Sequence, residues 1–131
     1  MIALNTNVLV RFLIEDDARQ STAAAALVER TVHSNDMLYV SGIVLCETVW
    51  VLTGTYRVPR LDVVKTLQDL LRAKHLTFDN RDRLARAIDS FAAGRGDFAD
   101  YLIREDALLA GCASVATFDR ELLREDGFVR P

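Results

Sequence analysis

Ile2-Ala3-Leu4-Asn5-Thr6-Asn7 is a short apolar run that breaks into a polar turn, and Val8, Leu9, Phe12 and Leu13 then recur at helical spacing up to Glu15. A strand that feeds at once into a helix is how an α/β chain begins. The alternation continues. Asp16 or Asp17 is placed to cap a helix to about Val32, and Met37–Ser41 reads as a strand whose Ser41 caps a helix from Ile43 to Thr53. A break follows at Gly54–Pro59. From Asp62 the apolar positions 63, 64, 67, 70 and 71 fit a 3.6-residue period. Leu76–Phe78 is a third strand, Arg81–Ala93 an amphipathic helix ended by Gly94-Arg95-Gly96, and Asp97 opens a helix to about Ala110. Val115–Phe118 is a fourth strand, Asp119–Arg124 a short helix, and Phe128-Val129 a last edge strand. Strands separated by helices imply a parallel sheet covered on both faces, a three-layer α/β/α sandwich.

The chain has 131 residues, so it is expected to be one domain with a real core. Its formal net charge of −3 excludes a broadly basic surface for non-specific nucleic-acid binding. Any such contact must be local, for example through Arg57 and Arg60 or through Arg81, Arg83 and Arg86, or be bridged by a metal. No apolar run is long enough to cross a bilayer, and Met1–Asn5 has no basic stretch or cleavage site of a signal peptide. No membrane association and a cytoplasmic location are expected. Cys46 and Cys112 form no metal-binding pair and sit among apolar neighbours, as reduced core thiols would. His33 and His75 lack ligand spacing and read as surface residues.

Chemistry is concentrated in four apolar segments that each carry an acid or its amide: Ile2–Asn7 with Asn5, Val44–Trp50 with Glu47, Asp97–Ile103 with Asp97 and Asp100, and Val115–Arg120 with Asp119. Glu47 has Ile43, Val44, Trp50 and Val51 as helical neighbours, and a carboxylate among core side chains is costly without compensation. Asp97 suits a helix cap. Asp100 shares a face with Ile103 and Ala107 and can turn towards a crevice. Asp119 alone would read as an N-cap. Asn5 and Asp119 follow strands, and in open α/β sheets the ligand crevice lies beyond the strands' carboxyl ends. Thr6 and Thr117 stand there too, where a hydroxyl can orient a carboxylate or a water. Carboxylates within about 5 Å of one another repel by roughly 3 kcal/mol per pair at an effective dielectric near 20. A hard divalent cation reverses that sign, and with it comes phosphodiester hydrolysis.

These four segments, in this order, resemble PIN-domain nucleases and specifically VapC-type toxins. The opening Asn5-Thr6-Asn7-Val8-Leu9 looks like their Asp-Thr-Asn-Val-Leu. The likeness extends through Cys46–Leu52, Asp97–Ile103 and Ala116–Asp119, nearly the whole chain. The resemblance implies a PIN-like fold, an endoribonuclease dependent on Mg²⁺ or Mn²⁺, a homodimer and a cognate VapB-type antitoxin. Carried over by position, the catalytic and metal-binding set is Asn5, Glu47, Asp100 and Asp119, with Asp97 as a further metal-side acid. Asn5 departs from the pattern: an amide oxygen can ligate but brings no charge. Asp→Asn is the near-isosteric change that disarms a nuclease, and the intact remaining positions favour that origin over a natural degenerate copy. The competing reading is a catalytically inactive PIN-like module that binds RNA or protein. A haloacid dehalogenase-type phosphatase needs a nucleophilic Asp at position 5, and Lys65 and Lys74 lie on helix patterns away from strand ends.

Overall fold

A computed structural model describes residues 1–131. The chain falls into two compact units, Met1–Asp79 and Asn80–Pro131.

In the first unit, β1 (Ile2–Ala3), β2 (Leu38–Val40) and β3 (Leu76–Phe78) form a parallel sheet in the order β1-β2-β3. Ile2 lies opposite Leu38, and Leu38 opposite Leu76. This is the expected α/β class: a central parallel sheet flanked by the helices that connect its strands. Those helices are α1 (Thr6–Leu13), α2 (Ala18–His33), α3 (Gly42–Trp50) and α4 (Arg60–Arg72). Hydrophobic burial along their apolar stripes holds the unit together. Val63, Val64, Leu67, Leu70 and Leu71 of α4 are all buried, as their spacing requires. The middle strand contributes Leu38 and Val40, both almost wholly buried. β1 is not covered on both faces as expected of the sheet: it lies at the sheet edge with Ile2 56% exposed, and burial begins at Leu4.

Helix boundaries differ from the sequence reading at α1, which spans Thr6–Leu13 and not Val8–Glu15, and at the two helices that follow β2. The helix after Ser41 stays α-helical only to Trp50 and continues as a π-helical segment over Val51–Thr55. It thereby runs through Gly54, and the break falls at Tyr56–Pro59, where Arg57 adopts φ 53°. α4 starts at Arg60 instead of Asp62, since the Pro59 carbonyl accepts the N–H groups of both Asp62 and Val63 at 3.0 Å. A four-residue cluster ties the start of this unit to that break. Arg11 donates to Gln20 Oε1 at 2.6 Å and Asp16 Oδ1 at 2.8 Å, and Tyr56 donates to Asp16 Oδ2 at 2.6 Å. The Tyr56 hydroxyl and the Arg11 charge together hold the Asp16 carboxyl below its usual range.

The second unit consists of α5 (Arg81–Ala93), α6 (Phe98–Leu109) and the parallel pair β4 (Val115–Ala116) and β5 (Phe128–Val129), with a 3₁₀ turn at Leu122–Arg124 between the strands. Its core is Leu84, Ala87, Ile88 and Phe91 of α5 against Phe98, Tyr101 and Leu102 of α6. Phe91 and Phe98 meet edge to face, 5.9 Å between centroids. Arg104 lies over the rings of Tyr101 and Phe128 and donates to the Asp126 carbonyl at 2.8 Å and to Ser90 Oγ at 2.7 Å. Gly127, with φ +89°, closes tightly beneath it: a Cβ there would stand 2.6 Å from Arg104 Cδ. The fourth strand is shorter than expected, leaving Phe118 87% exposed, and the predicted helix at Asp119–Arg124 contracts to the 3₁₀ turn.

Of the arginines considered as local basic patches, Arg83 is buried and donates to Asp106 Oδ1 at 2.6 Å. Arg86 donates to the buried Glu105 at 3.1 Å. Both bind acids of α6. Neither cysteine forms a disulfide, but Cys112 is exposed and Cys46 half-buried, so neither is a core thiol. His33 is exposed and His75 half-buried, its Nδ1 3.1 Å from the Asp36 carbonyl. No helix is long and apolar enough to cross a membrane.

Phe98 is 0% exposed and edge-packed on Phe91. Phe98→Ala is expected to cost about 3–5 kcal/mol, read as a lower urea midpoint; an unchanged midpoint would mean that this contact does not hold the second unit.

Candidate functional site

Parallel pairing sets the geometry of the first unit's acids. β1 ends at Ala3, and the Leu4 N–H still donates to the Tyr39 carbonyl at 2.8 Å. Asn5, in extended backbone, then turns the chain into α1, and its Oδ1 accepts the Thr6 N–H at 2.7 Å. Ser41 does the same at the end of β2, its Oγ accepting the Val44 N–H at the start of α3 at 3.2 Å. The two strands are parallel neighbours, so both helices start from the same end of the sheet. There the buried Thr6 hydroxyl donates to Glu47 Oε1 at 3.0 Å. Thr6 orients a carboxylate, as a hydroxyl at this place was expected to do.

The surroundings of Glu47 differ from the sequence reading. It is exposed, and so are Ile43 (74%) and Trp50 (51%) on the same face. The core face of α3 is Val44, Leu45, Thr48 and Val49. Glu47 is therefore an acid on an outward apolar face, fixed through Oε1 with Oε2 uncommitted.

The second unit gathers its own acids at the start of α6. Asp97 is the N-cap, as its position suggested, in a reciprocal capping box with Asp100. The Asp97 N–H donates to Asp100 Oδ2 at 3.0 Å, which satisfies a helix-end donor that would otherwise be orphaned. Asp100 is half-buried, but its neighbour Ile103 is 53% exposed, so that face does not turn into the core. Asp119 lies ahead of the N-cap of the last turn, which is Glu121, and its Oδ1 accepts the N–H groups of Glu121 at 2.8 Å and Leu122 at 3.3 Å. Thr117 is a turn former: its Oγ1 accepts the Asp119 N–H at 3.1 Å. Asp100 Oδ1 and Asp119 Oδ2 are left for a ligand.

Electrostatics single out Asp100. Burial raises its pKa above the ordinary aspartate value, the Asp97 N–H bond opposes the rise, and the negative charges of Asp97, Asp119 and Glu125 add to it. Glu125 is a member of this cluster that sequence reasoning missed. The fully buried Tyr101 hydroxyl holds both its oxygens, at 2.9 and 2.8 Å, and accepts the Gly96 N–H at 2.8 Å. Tyr101 and Glu125 are 24 positions apart with no shared pattern, so no sequence signal announces the pair.

Within each unit, no three acidic, histidine or cysteine side chains close around one ion. The donor chemistry nevertheless suits Mg²⁺ or Mn²⁺. Such ions bind hard oxygens, and Mg²⁺ keeps several waters while taking one or two carboxylates. Asp100 and Asp119, each with one uncommitted oxygen and near enough for their charges to interact, meet that requirement. Asn5 meets it less well. Its one oxygen already takes the Thr6 N–H, and the other terminal atom is an amide nitrogen that donates only.

A family model for the PIN domain matches residues 2–127, nearly the whole chain, and the chain belongs to that family. Its members are generally nucleases and typically bind Mg²⁺. No curated protein matches the chain.

A raised aspartate pKa stabilises the folded state only while the group is protonated, and that contribution is lost as pH climbs through the folded value. In EDTA at neutral pH, Asp100→Asn is therefore expected to melt higher than the parent, because the amide keeps the capping bond and removes a desolvated charge. The gap should close as pH falls towards the ordinary aspartate value of 3.8. A gap independent of pH would show that charge is not its cause.

Proposed function

We propose that this member of the PIN-domain family is a metal-dependent endoribonuclease scaffold of the VapC-like toxin kind, disarmed as it stands by Asn5. The observation that carries the reading is the acidic cluster at the start of α6. A desolvated Asp100, charged against Asp97, Asp119 and Glu125, costs free energy that a divalent cation recovers. In this reading Asn5, Glu47, Asp100 and Asp119 carry the metal chemistry, and Asp97 supports it as cap. When bound, Mg²⁺ or Mn²⁺ would supply a phosphate-binding charge and a water of lowered pKa. The chain's own residues do the positioning. Thr6 fixes Glu47, the capping box fixes Asp100, and the two turn N–H groups fix Asp119.

The hydrogen bonding of Asn5 favours the second reading for the chain as written, an inactive module that retains binding. Asn5→Asp adds a charge and a second oxygen while leaving one oxygen for the Thr6 N–H, since Asp and Asn cap helices about equally well. A toxin of this kind acts as a homodimer restrained by a VapB-type antitoxin in the cytoplasm, and those partners and that location belong to the same proposal.

The Asn5→Asp protein is expected to cleave RNA with Mg²⁺ or Mn²⁺ on the order of 10²-fold faster than the parent, and EDTA is expected to abolish cleavage. Absence of cleavage across several RNA classes would leave the binding module standing. Thermal melts give a second check. Both forms should melt within a few degrees of each other in EDTA, because exposed charges repel weakly. Mn²⁺ should then raise Asn5→Asp more, by about 2.7 kcal/mol at a hundredfold excess over its Kd. Equal metal-induced shifts would place residue 5 outside the metal's reach.

A further inference from the structure

Trp50 is the only tryptophan of the chain and it is 51% exposed. Single exposed apolar residues are ordinary on protein surfaces; the placement of this one is not. It lies three residues after Glu47, and Ile43 lies four residues before, so acid and apolar groups share one helical stripe about 5–6 Å apart between Cβ atoms. Ile43 is 74% exposed and Glu47 is exposed, while the opposite face of α3 is fully buried. The helix changes from α to π immediately after Trp50, a distortion that occurs frequently at functional sites. Beyond it comes Arg57, in left-handed backbone, a cation suited to phosphate in a chain whose overall charge is negative.

We propose that Trp50 is a substrate-positioning residue: its indole stacks on an unpaired nucleobase of RNA and Ile43 borders the same stripe, so that the neighbouring phosphate is presented to Glu47. This rests on the nuclease reading above and deepens it. An aromatic face accepts any base, so the contact favours unstacked nucleotides over duplex without selecting a sequence. The π-face serves where further acids would repel the backbone.

The lone tryptophan makes the test direct. The proposed disarming by Asn5 slows cleavage, so the fluorescence of the chain as written can be titrated with a single-stranded oligoadenylate and with a duplex of equal length, both in Mg²⁺, with RNA integrity checked on a gel after the titration. Saturable quenching by the single strand, weak or absent with the duplex, is expected. In the Asn5→Asp background, Trp50→Ala should raise KM about tenfold or more with little change in kcat, and Trp50→Phe should recover most of that loss. Leu109→Ala, an equally exposed apolar change on α6, should leave KM alone. No quenching, or a KM unmoved by Trp50→Ala, would overturn the assignment even if Asn5→Asp cleaves RNA, and would point to a protein partner for this face. Quenching without any cleavage by Asn5→Asp would instead sustain the stacking role and remove the nuclease.

Discussion

Parallel pairing of β1 with β2 is the constraint on which the placement of Asn5, Thr6 and Glu47 depends. The register Ile2 to Leu38 and Ala3 to Tyr39 brings both strands to their carboxyl ends together. Each chain segment then turns on a residue in extended backbone, Asn5 or Ser41, whose side chain caps the next helix. The two caps start α1 and α3 from one end of the sheet and allow Thr6 to reach Glu47 across 41 positions of sequence. Shifting a parallel pair by one residue would turn every side chain to the other face and separate Thr6 from Glu47.

The second unit uses capping differently, as a means of holding acids together. Helix ends and turns carry unsatisfied N–H groups, and carboxylates satisfy them well. Asp97, Asp100 and Asp119 are each held in this way. One interaction thus stabilises the local fold and collects negative charge in one place. The remaining cost appears in Asp100, whose carboxyl is pushed towards its neutral form by burial and by its neighbours. A structural cap and a ligand oxygen are not alternatives here. Asp100 and Asp119 each commit one oxygen to the backbone and leave the other.

Much of this was legible in the sequence because caps are local. Asp17, Ser41 and Asp97 all cap the helices that follow them, and the 3.6-residue period of α4 named its buried residues. Exposure was not legible. Ile43 and Trp50 read as core by hydrophobicity, yet both are exposed, since an apolar side chain says what it prefers and not which face the tertiary structure leaves open. The same limit misplaced β1 and Cys112. Glu125 was invisible because its partner Tyr101 lies on a different element. The π-helical segment escaped because Gly54, which lies within it, read as the start of the break.

In the proposed function the acidic cluster of the second unit meets a divalent cation, and Asn5 departs from the acid that the family pattern has at its position. Crystals of the Asn5→Asp protein grown with Mn²⁺ and measured at the manganese absorption edge test it most directly. An anomalous peak is expected against the uncommitted oxygen of Asp100. Asp119, whose charge already acts on Asp100, should share the metal's coordination shell. An Asn5→Asp crystal with Mn²⁺ elsewhere, or nowhere, and Asp100 still bonded only to the Asp97 N–H, would contradict it.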